Sequence, residues 1–100
     1  MNSGVTLKVS AKSNPNAVAG ALAAALRERN SVELQAVGAG AINQAIKAVA
    51  IARSYLKGAQ FDAVCTPSFV VVAIGESERT AISLLVERRK VEEKVSKGED

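Results

Sequence analysis

Apolar and polar residues alternate through Val5-Thr-Leu-Lys-Val-Ser10, which puts Val5, Leu7 and Val9 on one face and Lys8 on the other. That is the period of a half-buried strand. Lys12-Ser-Asn-Pro15 then marks a helix start. Pro15 suits the first helical position, and Asn14 or Ser13 can accept from the free backbone N–H groups. Val18, Leu22, Ala25 and Arg29 recur at helical spacing with Leu26 beside them, and Asn30 suits a left-handed stop. Alternation resumes at Val32-Glu-Leu-Gln-Ala-Val37, with Val32, Leu34 and Ala36 inward. Gly38-Ala-Gly40 turns the chain into a second helix that runs to Leu56 and ends near Gly58. Two apolar stripes lie along it, Ile42-Ile46-Val49-Leu56 and Ala41-Ala48-Ile51-Tyr55, so it is expected to bury more than one face.

From Phe61 the pattern is extended, with Pro67 expected to interrupt pairing at an edge or bulge. Phe69-Val-Val-Val-Ala-Ile74 is apolar on both faces, Gly75-Glu-Ser-Glu78 reads as a turn, and Thr80 to Glu87 reads as the returning strand of a hairpin. The order β1-α1-β2-α2-β3-β4 predicts a two-layer α/β sandwich, with right-handed crossovers placing both helices on one face of the sheet. Phe69–Ile74 is then apolar on the face without a helix, and the Ala48, Ile51, Tyr55 stripe has no partner. Patches of that kind usually meet another subunit, so Ala48, Ile51, Tyr55, Phe69 and Val71 are the expected dimer interface. Residues 1–89 read as one domain, and 90–100 as a polar tail, either a frayed helix or disordered.

Composition sharpens this picture. Of the hydrophobic 48%, 18 residues are Ala, 13 Val, 7 Leu and 5 Ile, and only 3% of the chain is aromatic. Small side chains bury little area each, which favours a homodimer or tetramer over a monomer. With no His and Cys65 as the one thiol, zinc sites, His-based acid–base pairs and disulfides are excluded; Cys65 reads as a buried structural thiol. The longest strongly apolar run is strand-sized, so no membrane association is expected, and the expected location is cytoplasmic, with nucleoid association compatible. A net charge of +3 is compatible with a polyanionic partner without demanding one.

Candidate chemistry is sparse. Gly38-x-Gly40 lacks the third glycine of a dinucleotide fingerprint, Asn43 standing there, so it reads as a tight strand-to-helix turn. Two helix starts remain, at Ser13-Asn14 and at Gly38–Gly40, and they expose N–H groups at one edge of the sheet beside Lys12, Asn43 and Lys47. That edge is either a phosphate-backbone surface or a solvated polar edge. Glu76 and Glu78 sit at a wet hairpin tip and read as turn residues rather than a catalytic pair. No nucleophile–base set exists in the sequence; neither an enzyme nor a cofactor is expected.

Leu7-Lys-Val-Ser-Ala-Lys-Ser-Asn-Pro-Asn-Ala-Val-Ala-Gly-Ala-Leu22 and Gln35-Ala-Val-Gly-Ala-Gly-Ala-Ile-Asn-Gln-Ala-Ile-Lys-Ala-Val-Ala-Ile-Ala-Arg53 resemble the stage V sporulation protein S family, and Glu78-Arg-Thr-Ala-Ile82 fits its closing hairpin. That family is similar in turn to the Alba chromatin proteins, which share the element order above. The resemblance implies a dimer-forming nucleic-acid-binding domain linked to sporulation in bacilli and present also in bacteria that do not sporulate. It also implies a three-part DNA surface: Lys12 in the β1–α1 loop, Gly38 to Lys47 at the β2–α2 loop and helix start, and Gly75 to Arg79 at the tip of a hairpin arm. Val37 stands where Alba proteins commonly have an arginine, Ala39 or Ala41 replaces a second basic residue, and the arm carries Glu76 and Glu78. Each such change weakens phosphate binding.

The expected function is a non-enzymatic nucleic-acid-binding regulator, DNA or RNA, contacting phosphates through Lys12, Ser13, Asn14, Gly38, Gly40, Asn43, Lys47 and Arg79. The alternative is a protein–protein regulatory module on the same dimer.

Overall fold

A computed structural model describes residues 4–91 as β1 (Val5–Val9), α1 (Pro15–Glu28), β2 (Ser31–Ala36), α2 (Ala39–Tyr55), β3 (Phe61–Ile74) and β4 (Ser77–Lys90). The predicted order and two-layer architecture hold. One four-stranded sheet runs β1-β2-β4-β3, with β1 and β2 parallel and the remaining pairs antiparallel. Both helices cover the face that carries Val5, Leu7, Val9, Val32, Leu34, Ala36, Leu84 and Val86.

The helices start where the sequence indicates and bury different faces from those expected. The Asn14 side-chain Oδ1 accepts from the amides of Asn16 at 2.8 Å and Ala17 at 3.4 Å, capping α1. The end of α1 is a correction: Arg29 is already extended (φ −137°), and Gln60 is the one non-glycine described residue with positive φ, so Asn30 is no left-handed stop. The chain enters β2 two residues later, leaving no room for a reversal; the Asn30 carbonyl instead accepts from the Arg88 amide. α1 buries Ala19, Leu22, Ala23 and Leu26, while Val18 and Ala25 are half-buried and Arg29 is exposed. α2 buries a single face, Ala41, Ala45, Ala48, Val49, Ala52 and Leu56. Four alanines on that face let the two helices approach closely, which small side chains permit and larger ones would prevent.

The hairpin is longer than its pattern indicates. β3 and β4 pair without a break from Phe61↔Lys90 to Ile74↔Ser77, and Gly75-Glu76 alone joins them. Positive φ at Gly75 (63°) and not at Glu76 is the requirement of a type II′ hairpin turn. Pro67 pairs in register with Leu84 and does not interrupt the ladder. β3 is an edge strand, where a proline's missing N–H can face outward.

Beyond the last β2 pair, Ala36↔Ile82, the hairpin continues alone as a two-stranded arm roughly 17 Å long. The described chain measures 55 × 31 × 20 Å as a result. Phe69 pairs with Ile82, which puts Phe69 and Val71 on the helix side of the sheet but past the end of the helix layer. They are exposed (78% and 67%) because the arm overshoots the helices, not because they fill the bare face. The bare face instead carries a polar cluster in which Glu33 accepts from Ser83, Thr6 and Gln35 at 2.7, 3.1 and 3.2 Å. Those bonds, chiefly Ser83's, hold its carboxyl below the usual range. Lys90 belongs to β4, and the Val91 amide donates to the Gln60 carbonyl, so the expected tail begins inside the fold; its remainder, from residue 92, lies outside the described residues.

Candidate nucleic-acid interface

The carboxyl ends of β1 and β2 and the base of the arm lie at one end of the sheet, because Val9 pairs with Ala36 and Ala36 with Ile82. The β1–α1 loop there is tied by its own serines. The Ser13 hydroxyl accepts from the Ser10 amide at 2.9 Å, and the Lys12 amide donates to the Ser10 hydroxyl at 3.1 Å. Ser13 is therefore a loop brace and Asn14 alone is the cap. The Lys12 side chain is left exposed.

Gly38 and Gly40 are required for different reasons. Gly38 precedes α2 at φ +92°, in the region that side chains disfavour, and provides no side-chain cap to the first helical amides. Gly40 has ordinary φ, but a Cβ there would stand 2.9 Å from the Ala11 Cβ, so glycine lets α2 press against the β1–α1 loop. The Gln44 side-chain amide donates to the Ser13 carbonyl at 2.8 Å and fastens the two from the other side. The two helix starts are thus locked side by side. Gln44 and Ala11 do this without any signal in the sequence beyond one polar residue among alanines.

Asn43 and Lys47 follow on the exposed side of α2, one and two turns in, and Arg79 stands apart on the arm, paired with Val72 on the bare face. Lys12, Lys47 and Arg79 form no ion pair among the described residues. The uncapped first-turn amides of α2 and the positive end of the α1 dipole add partial positive charge. Glu76 in the turn and Glu78 opposite Ala73 oppose it at the arm tip; both are exposed.

The expected dimer residues do not form one patch. Ala48 is fully buried in the chain's own core, so it has no surface to lend to a second chain. Ile51 and Tyr55 flank α1, where the Tyr55 carbonyl accepts from Arg27 at 3.1 Å. Phe69 and Val71 lie on the opposite flank of α2. There Ile42, Phe69, Thr80 and Ile82 line a shallow recess of about 250 Å³ beside Gly38 and Ala39. Ile46, 46% exposed, is one turn from Ile42 on the same flank. The apolar side chains on this flank are therefore Ile42 and Phe69 at the recess, with Ile46 one turn along α2 and Val71 two residues along β3. Ile42 and Ile46 escaped notice as surface residues because their spacing also fits an inward stripe.

The far end of the sheet, which the sequence did not single out, is heavily basic. Arg53 makes a two-pronged contact with Asp62 (2.9 and 2.8 Å), and Arg89 approaches the same carboxylate at 3.7 Å. The Arg53 bond is the main reason that Asp62 is held down to about 2. Arg88 stacks over Phe61 at 4.3 Å and donates to the Leu26 carbonyl. Cys65 is half-buried against the core from β3. Among the described residues no group of three or more potential ligands could hold a metal, and no helix is long and apolar enough to cross a membrane. Residues 5–89 match the family model described as Stage V sporulation protein S (SpoVS).

Proposed function

Because the chain belongs to the stage V sporulation protein S family, whose members are sporulation regulators and not a known enzyme family, we propose that it acts by binding nucleic acid as a homodimer. The observation that carries this reading is the locking together of two helix starts by Gly40, Ala11 and Gln44 beside Lys12 and Lys47, with the Arg79 arm rising from the same end. Backbone amides and scattered cations suit phosphate oxygens, and no exposed aromatic stands at this edge other than Phe69, so contact is to the backbone and shape rather than to bases. A dimer through Ile42, Ile46, Phe69 and Val71 covers the apolar flank of α2 and doubles the number of phosphate contacts. Each contact on duplex DNA contributes about 0.9 to the log–log salt slope.

Titration of the protein with labelled duplex DNA, single-stranded DNA and RNA at low and moderate salt tests this. Binding that weakens with salt, and weakens further in Lys12→Gln, Lys47→Gln and Arg79→Gln, is the expected result. No binding to any of the three even at about 50 mM salt, where electrostatic contacts are strongest, refutes it. Glu76 and Glu78 support a second reading, in which the arm carries net negative charge to a protein partner. That reading expects negligible nucleic-acid affinity and no response to the three substitutions.

A further inference from the structure

Between the last turn of α2 and the first residues of β3 lies an open cleft of about 970 Å³, at the end of the sheet away from the arm. Arg53, Lys57, Lys90, Leu56 and Phe61 line it, and Asp62 is the one carboxylate there among the described residues. We propose that this cleft is a second nucleic-acid contact, taking backbone phosphates on Lys57, Lys90 and the outer edge of Arg53.

Part of the positive charge at this end has a structural use. Both helices end here, and Arg27 and Arg88 donate to carbonyls of their last turns, where cations offset the negative end of the helix dipole. Asp62 is committed to Arg53 and Arg89 together, one carboxylate between two guanidinium groups. Lys57 and Lys90 remain. Both are exposed, neither makes an ion pair among the described residues, and they flank the cleft from α2's end and from β4's end. The side chains of Arg53 and Arg89 are still 56% and 62% exposed, leaving N–H donors free beside the ion pair. Among the described residues the surplus is therefore positive and concave, held between the turn after α2 and the end of β4. A recessed cleft admits the ridge of a nucleic-acid backbone and cannot lie flush on a flat bilayer. Guanidinium and ammonium groups that outnumber the one carboxylate of the described lining match phosphate oxygens, which offer acceptors only.

This inference is independent of the arm-end surface, and the test separates them. A labelled duplex DNA is titrated against the wild type, a Lys57→Gln/Lys90→Gln variant and a Lys12→Gln/Lys47→Gln/Arg79→Gln variant at about 50 and about 200 mM salt. The cleft variant is expected to lose about 0.9 of slope for each contact removed, with its melting temperature unchanged. In parallel, lysine acetylation read by mass spectrometry is expected to slow at Lys57 and Lys90 when duplex is present. Loss of affinity in the arm-end variant alone, with unprotected Lys57 and Lys90, overturns the cleft and leaves the proposed function standing. Loss in the cleft variant alone supports the cleft and overturns the arm-end surface. Protection of Lys57 and Lys90 by an acidic polypeptide but not by duplex overturns the cleft as a nucleic-acid contact.

Discussion

The two ends of the sheet use charge in opposite ways. At the arm end the cations are few, Lys12, Lys47 and Arg79, they have no ion-pair partner among the described residues, and two carboxylates of the same hairpin face them. At the far end, among the described residues, seven cations, Arg27, Arg29, Arg53, Lys57, Arg88, Arg89 and Lys90, stand against Glu28, Asp62 and Glu87, and several are fixed by carbonyls, by a carboxylate or by an aromatic ring. Helix polarity explains the difference. N-termini gather at one end and already favour anions through backbone amides; C-termini gather at the other and draw in cations as neutralisers. A tally of basic residues therefore misplaces the available charge, because what matters is how much remains after local neutralisation.

The largest effect is expected at the contact that builds the arm end. Gly40→Val drives a side chain into Ala11 and should cost about 1–3 kcal/mol in chemical denaturation. It should also weaken nucleic-acid binding more than neutralising any single cation does; undiminished binding would mean that the paired helix starts are not the surface. Next comes Asn14→Ala, which removes the α1 cap and should cost about 1 kcal/mol, leaving the far end untouched by amide hydrogen exchange.

The far end responds to acid instead. Asp62 titrates at about 2 in the fold against 3.8 as its ordinary value, so its contribution to stability is complete above about pH 4 and fades as pH falls toward 2. Asp62→Asn should lower the melting temperature at neutral pH, and the gap from wild type should close over that window; a gap that persists at the acid extreme would show that packing, not charge, is lost. The smallest effect expected is at the arm tip, where Glu76→Gln with Glu78→Gln should tighten duplex binding severalfold at low salt and little at high salt. Weaker binding in that variant would favour the protein-partner reading.

Much of the fold was legible because its signals are local. Period-two runs gave β1 and β2, Pro15 behind Asn14 gave the start of α1, and the order of elements with right-handed crossovers gave the layers. The helix faces were not, since alanine is compatible with core and surface alike: Ala19, Ala23 and Ala45 are buried, whereas Val18 and Ile46 are more exposed. The arm-end cations could be placed at their edge from topology alone, but the Gln44 bond to Ser13 joins residues 31 apart and has no local trace. The basic far end was missed for the same reason: Arg53, Asp62 and Arg89 meet only once β3 and β4 are paired and α2 is laid across them.

The position of β4 in the sheet order has a consequence for how the chain assembles. β4 is the bridge between β3 and β2, and β1 is held to the sheet through β2 alone, yet β4 is the strand nearest the carboxyl terminus. Its pairing with β3 closes the smallest possible loop, two residues, so the hairpin can form in microseconds without help from the rest. The preceding two-thirds of the domain, a parallel pair and two alanine-rich helices, has no template until that hairpin exists. Folding on the ribosome should therefore wait for the last strand to emerge, with the sheet growing back toward the amino terminus. A nascent chain arrested before Ser77 should remain protease-sensitive, and one arrested with the whole hairpin outside the exit tunnel should become resistant in a single step.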